Sequence, residues 1–179
     1  MPPSSPIERV LKVGECEARP EKGRDFWRTP DGVCDDVEAV LGTKMVCDVC
    51  PPKARLSWYE RPGDALIGDP WPENTFCNPP YSHPTLTHFV ARAFTDCPRF
   101  LFLIPNATDM VVWHKHIFPQ ANFLAFSKGR VSFKGRDGEP VAGNVRGSAL
   151  VGRTLTGSFN DPISGRWAVV RKPEVCTHE

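Results

Sequence analysis

The sequence predicts an α/β domain built on an open sheet, parallel at its centre and antiparallel towards its C-terminal edge. Three observations carry that expectation. Short apolar runs of strand length alternate with amphipathic segments of helical period, the pattern of a parallel sheet with crossover helices. Residues 100–104 are apolar at every position and lie between Pro98 and Pro105, which suits a central strand covered on both faces. The last third of the chain is mostly strand-like.

Taken in order, residues 1–22 are rich in Pro, Ser, Glu and Lys and lack apolar periodicity, so a flexible arm is expected there. Residues 23–179 are expected to form one domain, ordered from near Asp25. Thr29-Pro30-Asp31 reads as a helix start, with Thr29 as N-cap and Pro30 at the first helical position. That helix is predicted to run to Leu41 and stop at Gly42. Residues 45–49 form a short apolar strand, and residues 49–68 a loop punctuated by Pro and Gly. Residues 75–78 form a second strand, ended by two prolines.

Ser82-His83-Pro84 is expected to cap a helix on which Leu86, Phe89, Val90, Ala93 and Phe94 share one face. A second amphipathic helix is predicted over residues 109–118, with Met110, Trp113, His114 and Ile117 on one side. Residues 122–126, 130–133, 148–152 and 167–170 complete the predicted strands. In open α/β sheets ligands bind beyond the carboxyl ends of the strands. Asp48 and Asn78 are both expected at such ends.

Composition narrows the function. A chain of 179 residues, 40% hydrophobic and 24% charged, suits one soluble globular domain. A net charge of +1 excludes a polycation that coats nucleic acid in bulk, but not a local basic patch. The seven cysteines are odd in number and lie mostly in apolar runs. There is no apolar leader of signal-peptide type and no run of membrane-spanning length. The expectation is a cytoplasmic protein with reduced, buried thiols and no membrane association.

The sharpest chemical signal is Asn78-Pro79-Pro80-Tyr81. An exocyclic amine on a purine is a poor nucleophile, because its lone pair is delocalised into the ring. Two fixed acceptors that take both N–H hydrogens localise the lone pair and aim it. Asn78 offers a side-chain oxygen and Pro79 a backbone carbonyl, while consecutive prolines stiffen the backbone and remove competing N–H groups. Tyr81 adds a flat ring on which an extruded base can stack, worth about 1–3 kcal/mol. A base inside a duplex cannot reach such a site, so flipping is implied. An Asn-Pro turn that merely ends a strand is the structural alternative. The strand before the motif and the helix after it favour the chemical reading.

Other signals are weaker. Cys47-Asp48-Val49-Cys50 spells CxxC, but no second ligand pair follows at zinc spacing and no helix starts there in the thioredoxin manner, so buried thiols rather than a metal are expected. His114 and His116 lie two apart on a predicted helix and face different directions, one packed and one solvated. Lys128, Arg130, Lys134 and Arg136 cluster near a strand and turn and are the best candidates for phosphate contact. A solvated hairpin is the alternative, since Asp137 and Glu139 offset part of the charge. No helix-turn-helix or zinc-finger pattern accompanies them.

An ordered set of segments now joins the tetrapeptide: Asp25-Phe26-Trp27-Arg28-Thr29-Pro30, Cys47-Asp48-Val49-Cys50, Gly63-Asp64-Ala65-Leu66 with Trp71, Leu103-Ile104-Pro105-Asn106-Ala107-Thr108-Asp109 with Trp113, Lys128-Gly129-Arg130-Val131-Ser132-Phe133, and Ser148-Ala149-Leu150-Val151. Over residues 25–152 this order resembles the phage-type DNA N(6)-adenine methyltransferases, small Dam-like proteins that share Asn-Pro-Pro-Tyr with the wider amino-methyltransferases. The resemblance implies a compact, reduced Rossmann-like methyltransferase sheet, S-adenosylmethionine as cofactor and double-stranded DNA as partner, with no obligate protein partner and, for a viral protein, the host cytoplasm as location.

It implies catalytic roles for Asn78, Pro79, Pro80 and Tyr81. Trp27, Thr29 and Pro30 would line the methionine end of the cofactor, Asp48 would pair with its amino group, and Asp64 would lie near its adenine. For Trp27 the structural alternative is a core aromatic, and for Asp48 a turn or helix cap. Methyl transfer would be direct and in line, without a covalent enzyme intermediate or an obvious general base. Asn-Pro-Pro-Tyr also serves enzymes that methylate RNA amines or protein glutamine amides, and the glycine-free run Val49-Cys50-Pro51-Pro52 would suit an inactive DNA-binding relative.

Overall fold

A computed structural model of the protein describes residues 27–50, 64–135, 138–141, 144–154 and 165–170. The expected N-terminal arm, the Pro51-Pro52 loop and Arg136 lie outside these residues, as does the side chain of Asp64.

Helix α1 (Asp31–Leu41) leads into strand β1 (Cys47–Asp48), the short helix α2 (Asp64–Ile67) and β2 (Thr75–Cys77). Helix α3 (Thr85–Asp96) and β3 (Phe100–Pro105) follow, then a π-helical turn (Trp113–Ile117) continued by α4 (Phe118–Gln120). Strands β4 (Phe123–Ser127), β5 (Ser148–Arg153) and β6 (Trp167–Val170) complete one six-stranded sheet in the order β1-β2-β3-β5-β4-β6. Strands β1, β2 and β3 pair in parallel, whereas β3–β5, β5–β4 and β4–β6 pair antiparallel. The architecture is a mixed α/β sheet compatible with a Rossmann-like layout. Its antiparallel part is more than an edge: β5 runs against β3 and β4 and sits between them.

Side-chain alternation along the strands divides the core in two. Phe100, Phe102 and Ile104 face α3 and the π-helical turn, together with Cys77, Val151 and Trp113. Leu101 and Leu103 point the other way, towards Val33 and Val37 of α1, with Phe76, Leu150 and Trp167. Helices therefore cover both faces, and this is why β3 is apolar throughout.

Several expectations need correction. Pro30, not Thr29, occupies the N-cap of α1, and its carbonyl accepts from Val33 N–H at 2.9 Å. Gly42 ends the helix as expected, in the left-handed region at φ 70°. Pro84 holds the N-cap of α3 without a side-chain bond. The stretch expected to be loop up to Gly68 contains α2, which tertiary contacts hold: Trp71 Nε1 donates to Ala65 O at 2.8 Å, and Arg92 Nη2 to Gly68 O at 2.6 Å.

Residues 130–133 form no strand. Their neighbour Lys134 instead makes isolated bridges to Arg28 and Pro140. The predicted helix over residues 109–118 widens into the π-helical turn, where Phe118 N–H bonds to Trp113 O. Pro119 lacks an N–H and its ring crowds the preceding turn, which a wider turn relieves. The change of pitch leaves Trp113 and Ile117 buried and His114 exposed, so His114 does not share their face.

Candidate active site

Asn78 follows the last residue of β2, and Asp48 ends the neighbouring strand β1, where it is in register with Phe76. Both residues are half-buried at the carboxyl end of the parallel strands. This is the end at which an open α/β sheet binds ligands.

The chain reaches back to this edge from both sides. Trp27 to Pro30 pass beside Asn78, whose Nδ2 donates to Thr29 Oγ1 at 3.3 Å and to the carbonyl of Trp27 at 3.4 Å. A carbonyl can only accept, so the amide nitrogen must face it. The Asn78 oxygen then points the opposite way and accepts from the Tyr81 hydroxyl at 2.7 Å. The same hydroxyl lies 3.4 Å from Leu103 O on β3. Pro79 and Pro80 are buried, and Tyr81 is half-buried. Thr29 is thus a partner of the tetrapeptide rather than a helix cap.

A cavity of about 260 Å³ opens beside this cluster. Trp27 and Tyr81 form one side, Pro105 and Met110 another, and Asn144 and Arg146 belong to the segment that enters β5. Asp48 does not line it. Asp48 Oδ1 accepts the Cys50 N–H at 3.1 Å, a turn-capping bond. Trp27 has two uses: it lines the cavity, and it packs on Phe133 at 5.4 Å between ring centroids.

The basic segment is adjacent. Arg28 N–H donates to Lys134 O at 2.7 Å, and Lys134 N–H to Arg28 O at 3.1 Å. The stretch carrying Lys128, Arg130 and Lys134 is thereby tied to the one that orients Asn78. Lys128 and Arg130 are exposed, whereas Lys134 Nζ is 3.2 Å from Asp31 Oδ2, so part of its charge is met within the protein. Arg146 escaped the sequence reading because it stands alone between uncharged residues, without the clustering that marks a basic patch.

The CxxC thiols are interior. Cys47, Cys50 and Cys77 are buried, with Cys50 Sγ 3.8 Å from Cys77 Sγ. Burial, and then the neighbouring Cys50 thiol, push the Cys77 thiol well above its ordinary range. Among the described residues no group of His, Cys, Asp and Glu is arranged to hold a metal ion.

The fold and site define an α/β protein with a polar cluster at the carboxyl end of its parallel strands and a cavity beside it lined by Trp27, Tyr81 and exposed Arg146. Its family follows from comparison: residues 17–176 match the model of the DNA N-6-adenine-methyltransferase (Dam) family, and the chain belongs to that family. Members are DNA adenine N6-methyltransferases as a class. No curated protein and no solved structure matches the chain.

Proposed function

We propose that this protein transfers the methyl group of S-adenosylmethionine to the exocyclic amine of an adenine extruded from DNA. The observation that carries the reading is the fixed amide of Asn78. Trp27 O and Thr29 Oγ1 hold its nitrogen, so its oxygen is presented to Tyr81, which lines the cavity although Asn78 itself does not. An acceptor oriented in advance is what an incoming amine needs, since no reorganisation is left for the reacting moment.

In this reading Asn78 Oδ1 and the Pro79 carbonyl take the two amine hydrogens and localise the nitrogen lone pair. The Tyr81 ring, with Trp27, Pro105 and Met110, encloses the base and excludes water. The half-buried carboxylate of Asp48 suits the positive amino group of the cofactor. Trp27, Thr29 and Pro30 reach the same strand end and suit its methionine portion, with Asp64 nearer its adenine. S-adenosylmethionine supplies a sulfonium-activated methyl group. A nitrogen–carbon bond forms as the sulfur–carbon bond breaks, and the amine proton leaves for solvent afterwards, so neither a covalent enzyme intermediate nor a prior general base is required. Positioning and electrostatics account for the rate. Lys128 and Arg130, with Lys134 and Arg136 in support, contact DNA phosphates.

The decisive experiment is expression in a host lacking adenine methylation, followed by sequencing that maps modified adenines. New N6-methyladenine in wild-type cells and none with Asn78→Ala is the expected result. Parallel assays on RNA and protein test the rival substrates, and methylation of either with none on DNA would overturn the reading.

A further inference from the structure

Arg146 is a cation on the cavity wall for which the proposed chemistry has no role. It lines the same cavity as Tyr81 and is exposed. Among the described residues it makes no ion pair.

The rim that carries it is fixed from several sides. Asn144 Nδ2 donates to Val131 O at 3.0 Å, and Arg146 N–H approaches Asn144 Oδ1 at 3.4 Å. Asn106 N–H donates to Gly147 O at 3.1 Å. A Cβ at Gly147 would stand 2.5 Å from Asn106 Nδ2, so the rim approaches the loop after β3 as closely as a glycine permits. Ser148 N–H donates to Ser127 Oγ at 3.0 Å, and that hydroxyl donates to Gly129 O at 2.8 Å. The segment bearing Lys128 and Arg130 is therefore bonded to the segment bearing Arg146. Three exposed cations sit on these two joined segments, and Arg146 among them lines the cavity.

The cavity volume, about 260 Å³, falls below the roughly 300–1,000 Å³ of pockets for drug-sized ligands. That space suits one planar base and leaves the sugar and phosphate outside, on the rim. A guanidinium there presents a planar fork of donors that matches two phosphate oxygens, which an ammonium cannot do.

We propose that Arg146 is the phosphate clamp for the extruded nucleotide: it binds the phosphodiester adjoining the adenosine whose base enters beside Tyr81, while Lys128 and Arg130 hold further phosphates of the same strand. This rests on the reading that the substrate is adenine in DNA. Arg146 positions the nucleotide and does not touch the reacting atoms.

The test uses full-length wild type, Arg146→Gln and Arg146→Lys on unmethylated plasmid DNA, with kcat and KM measured between 50 and 200 mM NaCl. Arg146→Gln is expected to raise KM about tenfold, as losing a charge-assisted bond should. It should also flatten the slope of log(1/KM) against log[NaCl] by about 0.9, the value for one phosphate contact. Melting temperature and S-adenosylmethionine affinity by calorimetry should match wild type. Arg146→Lys should restore the slope but only part of KM.

A wild-type slope and KM in Arg146→Gln, with wild type methylating DNA, overturn the clamp and leave the function standing. Relaxed sequence preference at one flanking base with an unchanged slope also overturns it, because Arg146 would then read a base edge. Wild type that methylates no DNA overturns the function and the clamp together.

Discussion

The Tyr81 hydroxyl donates to the Asn78 side-chain oxygen at 2.7 Å, and so occupies the acceptor assigned to the target amine. That oxygen has two lone pairs, so a substrate N–H either takes the second or displaces the hydroxyl. Leu103 O, 3.4 Å from the same hydroxyl, offers the displaced O–H another acceptor, so the exchange need not strand a buried donor, which would cost about 1–3 kcal/mol. In the proposed reaction the hydroxyl is then dispensable, and the ring supplies the binding surface.

The two roles separate by mutation. Tyr81→Phe keeps the ring and should methylate DNA within about threefold of wild type, a cost below that of one neutral hydrogen bond. Tyr81→Ala removes a stacking surface worth about 1–3 kcal/mol and should lower kcat/KM roughly 5- to 150-fold. Asn78→Ala removes the oriented acceptor and should cost at least about 100-fold in kcat, the scale of losing one preorganised polar group. Steady-state methylation assays, with circular dichroism to verify the fold, check all three. Tyr81→Phe as poor as Tyr81→Ala would make the hydroxyl essential rather than dispensable.

Much of this arrangement is legible in the sequence, because the signals are local. Residues 100–104 are apolar throughout since helices cover both faces of β3. Gly42 stops α1 because the chain turns there through a positive φ. The segment order that resembles Dam-like proteins is matched by the family comparison. What was not legible depends on distant contacts. Thr29 has a good cap composition, yet its hydroxyl serves Asn78, 49 residues away. Residues 130–133 have strand composition but cross beside Trp27 and Arg28 instead of joining the sheet. The strand-rich C-terminal third predicts antiparallel pairing at that edge, but the insertion of β5 between β3 and β4 leaves no periodic trace. Arg146 becomes a candidate only when the fold brings its rim to Tyr81.

That insertion of β5 sets a strict steric requirement at Gly152. Gly152 is buried opposite Leu101 on one side and Phe123 on the other. A Cβ at this position would fall on the carbonyl oxygen of Phe100, a backbone atom that cannot yield without disturbing the ladder. Gly152→Ala is expected to destabilise the protein by about 3 kcal/mol, at the upper end for overpacked cores. Urea denaturation measures it, and a change within 0.5 kcal/mol (the range typical of surface substitutions) would contradict the strand pairing.

Asp36 anchors the outer strand β6 to α1. Its carboxylate is buried and accepts from Trp167 Nε1 at 2.8 Å, with Arg166 Nε at 3.2 Å from the same oxygen. Asp36→Ala leaves the buried indole N–H without this acceptor, a loss of about 1–3 kcal/mol. Asp36→Asn can keep the indole bond through its amide oxygen while losing the charge beside half-exposed Arg166, and should cost less. Equal destabilisation of the two variants would shift the weight from the indole bond to the ion pair. Urea denaturation followed by circular dichroism measures the difference.

The buried thiols predict how the fold responds to alkali. Burial, opposed in part by hydrogen bonds from its surroundings, pushes the Cys97 thiol up to about 11. Cys77, more deeply enclosed, is raised in the same direction by burial and by the Cys50 thiol. In the unfolded chain both thiols ionise in their ordinary range, near 8.5. Between that range and about pH 11 the folded protein therefore binds more protons than the unfolded one, and stability must fall as pH rises. Below the ordinary thiol range both states are protonated and this contribution is fully present. Alkylation by iodoacetamide, which needs the thiolate, should proceed at pH 8 on the unfolded chain but leave Cys77 and Cys97 unmodified in the native protein, as read by mass spectrometry of peptides. Rapid native alkylation of either residue at pH 8 would mean that the interior between β2 and α3 opens to solvent far more readily than its packing implies.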